Sequence, residues 1–187
     1  MKRVTQTLVM GLLLCGASCA AETAAPSTAI MPPGALSTNG DIDVRSLDVA
    51  AYAFGRPLRN DPAKAADAIA ALDYMGGELN TSPRWTTTMP SLFRVQMLQS
   101  REIIRSYVGV SSDAPSQAVV NTMLALAEAY RAGDQPSVER LLASPIFTLP
   151  PDRVAAQLAN IPVIPSVNSA TTHADQYSTG FSVPGNG

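Results

Sequence analysis

Few side chains in this chain are equipped for chemistry, and their spacing narrows the choice further. His173 is the single histidine, standing among Ala170, Thr171, Thr172 and Ala174 with Ser169 and Ser178 near it in sequence. A nucleophile and its base need a histidine held rigidly by a third group. A Ser/Thr-rich tail supplies no such frame, so a surface histidine is the expectation. Transition metals ask for several His or Cys ligands close together, and the cysteines are Cys15 and Cys19, far from His173. No metal and no other cofactor is expected. Asp41-Ile42-Asp43 followed by Asp48 lacks the glycine turn and closing glutamate of a helix-loop-helix calcium site. Asp41 or Asp43 more simply caps a helix start.

Paired carboxylates could cleave glycans, and Asp67, Asp73, Glu78, Glu102, Glu128, Glu139 and Asp152 are the candidates. None is set apart by an apolar flank that would raise its acidity constant. Glu102 beside Arg101 and Arg105, and Glu128 beside Arg131, read as solvated helix faces with local pairing. Gly76-Gly77 and Gly109 match neither nucleotide-binding fingerprint. Trp85, in Arg84-Trp85-Thr86-Thr87-Thr88, falls in a connection between helices. There it either plugs the gap between two helix ends or contacts a ligand or partner; for a binding surface, Tyr74, Arg84 and Trp85 are the first choice.

The elements that must position these residues are helical. Proline suits the first turn of a helix and is excluded from its interior, so Asp-Pro, Met-Pro and Ala-Pro steps before apolar periods mark starts. Pro62 opens a run in which Ala65, Ile69, Leu72 and Leu79 share one face, ending near Gly76-Gly77 or Leu79. Pro90 opens a second, with Phe93, Met97, Ile104 and Val108 on one face, Val95, Leu98 and Ile103 widening it, and Gly109 as terminator. Pro115 opens a third through Val119, Met123, Leu126 and Tyr130 to Gly133. Shorter helices are expected over 136–143, 151–160 and 45–54. Val108-Gly109-Val110 and Ile146-Phe147-Thr148-Leu149 are the only strand candidates. The expectation is an all-α fold, a small bundle or stacked hairpins of five to six helices. Met75, Met97, Met123 and Phe93 fill its core, or line a cavity if the protein carries an apolar molecule.

The segment 124–134, continuing to Val138 and Leu142, resembles the turn of a tetratricopeptide repeat over about one repeat. No second copy occurs at that period, and a solenoid needs at least about three, so an ordinary helical hairpin is expected.

Composition divides the chain into residues 1–19, 20–40, 41–161 and 162–187. Lys2 and Arg3, the apolar run Leu8 to Cys15 and the small residues Gly16 to Ala21 make an export signal. The run is shorter than the roughly 20 apolar residues that cross a bilayer. Gly16-Ala17-Ser18-Cys19 resembles the bacterial lipoprotein signal, which implies acylation of Cys19; an ordinary signal peptidase could instead cut near Ala20 or Ala21. No cysteine follows Cys19, so a disulfide scaffold is excluded and an apolar core must supply stability. Roughly 165 residues would remain, enough for one domain. Without Lys2 and Arg3, 11 basic residues face 15 acidic ones, a formal charge of -4. That balance gives no grip on nucleic acid. Residues 20–40 read as a flexible linker and 162–187 as a loose tail, with a short helix around Ser169 to Tyr177 capped by Asn168. The sequence therefore points to an exported bacterial cell-envelope protein, periplasmic or anchored at a membrane's outer face. Its expected role is non-catalytic, binding or structural, with another envelope component as partner. An envelope hydrolase using a carboxylate pair is the alternative.

Overall fold

The computed structural model describes residues 25–37 and 40–180. Cys19, the rest of the export signal and residues 181–187 lie outside them. Among the described residues the fold is mostly helical, with helices α1 (Ile42–Phe54), α2 (Pro62–Thr81), α3 (Pro83–Thr88), α4 (Ser91–Val108), α5 (Ser116–Ala132), α6 (Gln135–Leu142), α7 (Pro151–Ala159) and α8 (Pro165–Ser178). Prolines punctuate it as their chemistry requires. Pro62, Pro83, Pro136, Pro151 and Pro165 occupy first turns, where a missing N–H loses no bond, and Pro90 and Pro115 sit at the N-caps of α4 and α5. Gly109 and Gly133 end α4 and α5 in the left-handed region, with φ of 75° and 66°.

Among the described residues the α-helix count is eight rather than five to six. One addition is α3, where the sequence reads as a connection. The other is α8, where it reads as a loose tail with a helix capped by Asn168. That helix starts four residues earlier, at Pro165 rather than Ser169, and buries Val167, Ala170, Thr171 and Ala174, an i, i+3, i+4, i+7 stripe. Its faint signature is small side chains. The only two-stranded pairing described joins Leu58–Arg59 (β1) antiparallel to Asn160–Ile161 (β2). The two segments expected as strand candidates meet in a single bridge, Val110 to Phe147.

Helix α2 is the centre. It packs on α1, α4 and α5, while α8 lies against α1 and α4 and α6 folds back on α5. A helix enclosed on all sides needs small or apolar residues around its whole circumference, and α2 buries Ala65, Ala66, Ala68, Ala70 and Ala71 together with Ile69, Leu72, Met75 and Leu79. Its glycines do not end it. A Cβ on Gly76 would lie 2.9 Å from Cδ of Arg101, and one on Gly77 only 2.6 Å from the carbonyl oxygen of Ser27. Glycine inside a helix costs about 1 kcal/mol relative to alanine, and here it lets a side chain and a second backbone cross the helix surface. Met75, Met97 and Met123 are fully buried in the core.

Arg101 and Arg105 depart most from expectation. The buried face of α4 is Met97, Ser100, Arg101, Ile104, Arg105 and Val108, so both arginines point inward rather than onto a solvated face. Val95 and Ile103, expected to widen that face, are 46% and 37% exposed. Arg105 donates to both oxygens of Asp73, Nε to Oδ2 at 2.6 Å and Nη2 to Oδ1 at 2.7 Å. It also reaches the Ala114 carbonyl at 3.0 Å, the Ser112 carbonyl at 3.4 Å and Ser116 Oγ at 3.0 Å. Those five bonds use every N–H of the guanidinium.

Residues 25–37, part of the expected linker, form a strap over α2 and the start of α5. Ser27 Oγ accepts the Ser116 N–H at 2.9 Å, a donor that Pro115 cannot cap. The Ser27 carbonyl accepts from Arg101 Nη1 at 2.9 Å and from Ser116 Oγ at 3.1 Å. Gln117 brackets Ile30, accepting its N–H at 2.7 Å and donating to its carbonyl at 3.1 Å. Ala29, Met31 and Leu36 are buried. A segment poor in large side chains is held mainly through its backbone.

Candidate functional site

Tyr74 and the adjacent pair Arg84-Trp85 converge on one carboxylate that the sequence did not single out as their partner, Asp43. At the start of α1 the work of capping falls to Asp41, whose Oδ1 accepts from the Asp43 N–H at 3.0 Å and the Val44 N–H at 3.3 Å. Asp43, in the first turn, turns toward the core. Tyr74 Oη donates to its Oδ1 at 2.5 Å, Trp85 Nε1 to its Oδ2 at 2.8 Å and Arg84 Nη1 to Oδ2 at 3.2 Å. Arg84 also pairs with Asp41 at 2.7 Å and stacks 4.3 Å above the Trp85 ring. The hydrogen bond from Arg84 holds the Asp41 carboxyl below its usual range. Burial and the bonded Asp43 carboxylate push the Tyr74 hydroxyl well above its ordinary value, so it remains a donor.

This arrangement ties α1, α2 and α3 together. Trp85 and Tyr74 are buried, with 4% and 7% of their surface exposed. Both spend their polar atom on Asp43. Of the three, only the Arg84 guanidinium, 46% exposed, offers donors outward.

The largest cleft described, about 380 Å³, is lined by Arg45, Asp48, Val49, Tyr52, Lys64 and Asp67 of α1 and α2. Each charge in it already has a partner. Arg45 Nη1 meets Asp48 at 2.6 Å, Lys64 meets Asp61 at 2.7 Å, and Arg131 at the end of α5 pairs with Asp67 rather than with Glu128. The guanidinium of Arg56 covers the Tyr52 ring at 3.3 Å. Burial raises the Asp67 carboxyl above its ordinary value against the opposing pull of Arg131. Burial also raises Asp175 on α8, with the charge of Asp48 adding to it.

The remaining acids are dispersed. Asp73 is consumed by Arg105, and Glu102, Glu128, Glu139 and Asp152 are exposed. His173 is exposed on α8 and stacks on Phe93 of α4, ring centroids 5.4 Å apart, with Tyr177 edge-on to the same ring at 6.2 Å. Those rings fasten α8 to α4. Among the described residues no group of three or more His, Cys, Asp and Glu side chains could hold a metal ion.

Two outcomes follow from this geometry. Asp43→Ala strands the Tyr74 hydroxyl and the Trp85 N–H in a dry site and should lower unfolding stability by about 2–4 kcal/mol, read in urea through the emission of Trp85, the only tryptophan. Asp67 titrates above its unfolded value, so the folded protein binds its proton more readily and loses stability as pH rises through that range. Asp67→Asn removes this loss. Its urea midpoint relative to wild type should therefore rise as pH climbs from about 4, the ordinary carboxyl value; a falling difference would show that the pair with Arg131 outweighs burial. Comparison of the chain with protein-family models, with curated proteins and with solved structures finds no match.

Proposed function

We propose that this chain is an exported bacterial cell-envelope protein with a non-catalytic binding or structural role, acylated at Cys19 or released as a soluble periplasmic form. The address rests on the charged start, short apolar run and small-residue end of residues 1–21. One observation carries the non-catalytic part. The two best-buried carboxylates, Asp43 and Asp73, accept from donors of the same chain on both oxygens, which suits cross-links between helices and leaves no free acid at either place. For a partner, the outer face of α4 offers Leu92, Val95 and Ile103, exposed by 61%, 46% and 37%. No helix among the described residues is long and apolar enough to cross a membrane, so a lipid on Cys19 is the route to a bilayer this reading contains.

A carboxylate-pair hydrolase is the rival. It draws on Asp48 and Asp67 sharing one cleft, with burial raising Asp67. Against it, each of these acids is already paired with a guanidinium.

Two measurements test the reading. In a bacterium fed a fatty-acid analogue, the protein should take up label and Cys19→Ala should not; label that persists in the variant removes the anchor, and a mature terminus at Ala21 or Glu22 selects the soluble form. Purified protein incubated with cell-wall glycan should release no soluble saccharide. Release that disappears in Asp48→Asn and Asp67→Asn would replace the binding role with the hydrolase.

A further inference from the structure

We propose that the groove over Gly77 also receives the strap of a second copy of this chain, so that two copies exchange residues 25–31 and close into a symmetric dimer. The groove is a receptor for extended backbone. It offers Arg101 Nη1 and Ser116 Oγ to the Ser27 carbonyl, the Ser116 N–H to Ser27 Oγ, and both ends of the Gln117 amide to Ile30. Recognition of this kind is specific for small residues at the crossing, because Ser27 and Thr28 pass directly over the bare Cα of Gly77. The segment whose fit is established atom by atom is residues 25–31, and every copy of the chain carries it.

The turn that folds the strap back supplies the reason to exchange. Gly34, Leu36 and Ser37 have φ of 77°, 56° and 54°. Glycine adopts that region freely, but Leu36 and Ser37 do so under strain. Nothing packs within 4 Å of the position a Gly34 Cβ would take, so its backbone angle is what the closed turn asks of it. Arg45 Nε on the Leu36 carbonyl at 3.1 Å and burial of the Leu36 side chain hold the turn shut. Opening it to extended backbone, which Pro32 and Pro33 already favour, relieves both strained residues. The strap contacts can then be rebuilt against the partner's α2 and α5. Because each copy gives and receives the same segment, the assembly closes at two.

The test uses the Cys19→Ala chain under reducing conditions, so that neither a lipid nor a disulfide joins copies, and light scattering coupled to size exclusion. Gly34→Pro fixes φ near about -65°, which the closed turn cannot accept, and should raise the dimer fraction at least about tenfold over the parent. Adding Gly77→Ala blocks the groove to a strap from either copy and should return the protein to monomer. A folded, monomeric Gly34→Pro overturns the proposal, as does a dimer that survives Gly77→Ala. Should Gly34→Pro not fold, the parent itself decides after concentration and slow warming. It should show a dimer fraction that falls when Leu36→Gly and Ser37→Gly remove the strain; a parent that stays monomeric, or a dimer indifferent to those changes, also overturns it.

Discussion

A carboxylate and a guanidinium taken together out of water constrain the rest of this molecule. Isolated charges in a protein interior are strongly disfavoured, and a buried pair persists only where every donor and lone pair finds a partner. Asp73 on α2 and Arg105 on α4 meet that demand through a two-point contact, and both are almost wholly enclosed. The other arginine donors are completed by carbonyls and a hydroxyl from residues 112–116. The pair thus fixes α4 against α2 and sets the entry of α5 at the same time. Ser116 passes the constraint on, accepting from Arg105 and Arg101 and donating to Ser27, which seats the strap.

The same logic explains the glycines and the acids. Arg101 can reach Ser27 only by crossing α2, and it crosses where Gly76 has no side chain. One residue along α2 from Asp73, at Tyr74, Asp43 gathers a tyrosine, a tryptophan and an arginine and brings α1 and α3 into register. The helices are rich in alanine and their apolar contacts are shallow, so polar cross-links of defined geometry add the specificity that thin helices lack. Buried acids that serve as fasteners are in keeping with the binding or structural role proposed for this protein.

How much of this could be read from residues alone depends on the size of the side chains involved. The starts at Pro62, Pro90, Pro115, Pro136 and Pro151 were legible because proline excludes helix interiors, and the large apolar residues behind them repeat at helical spacing. Helix α8 obeys the same rule at Pro165, but its buried stripe is Val167, Ala170, Thr171 and Ala174, too small to stand out from a Ser/Thr-rich tail. The strap was illegible because backbone groups bind it. Arg101 and Arg105 read as a solvated face because they are charged, although they continue the stripe that runs through Met97 and Ile104; nothing local says that Asp73, 32 residues away, meets Arg105. Tyr74, Arg84 and Trp85, grouped from the sequence as a surface for a ligand or partner, do meet in space, but what joins them is a shared internal acceptor, Asp43, which carried only the signal of a helix cap.

The most direct measurement is a double-mutant cycle at the central pair, with Asp73→Leu, Arg105→Met and the two combined, unfolded in urea. Each single change leaves a buried charge without its partner and should cost about 3–5 kcal/mol, while the double change should cost less than their sum by about 2–3 kcal/mol. Additive losses would mean that the two side chains act independently, and the account of the fold as organised around their union would be wrong.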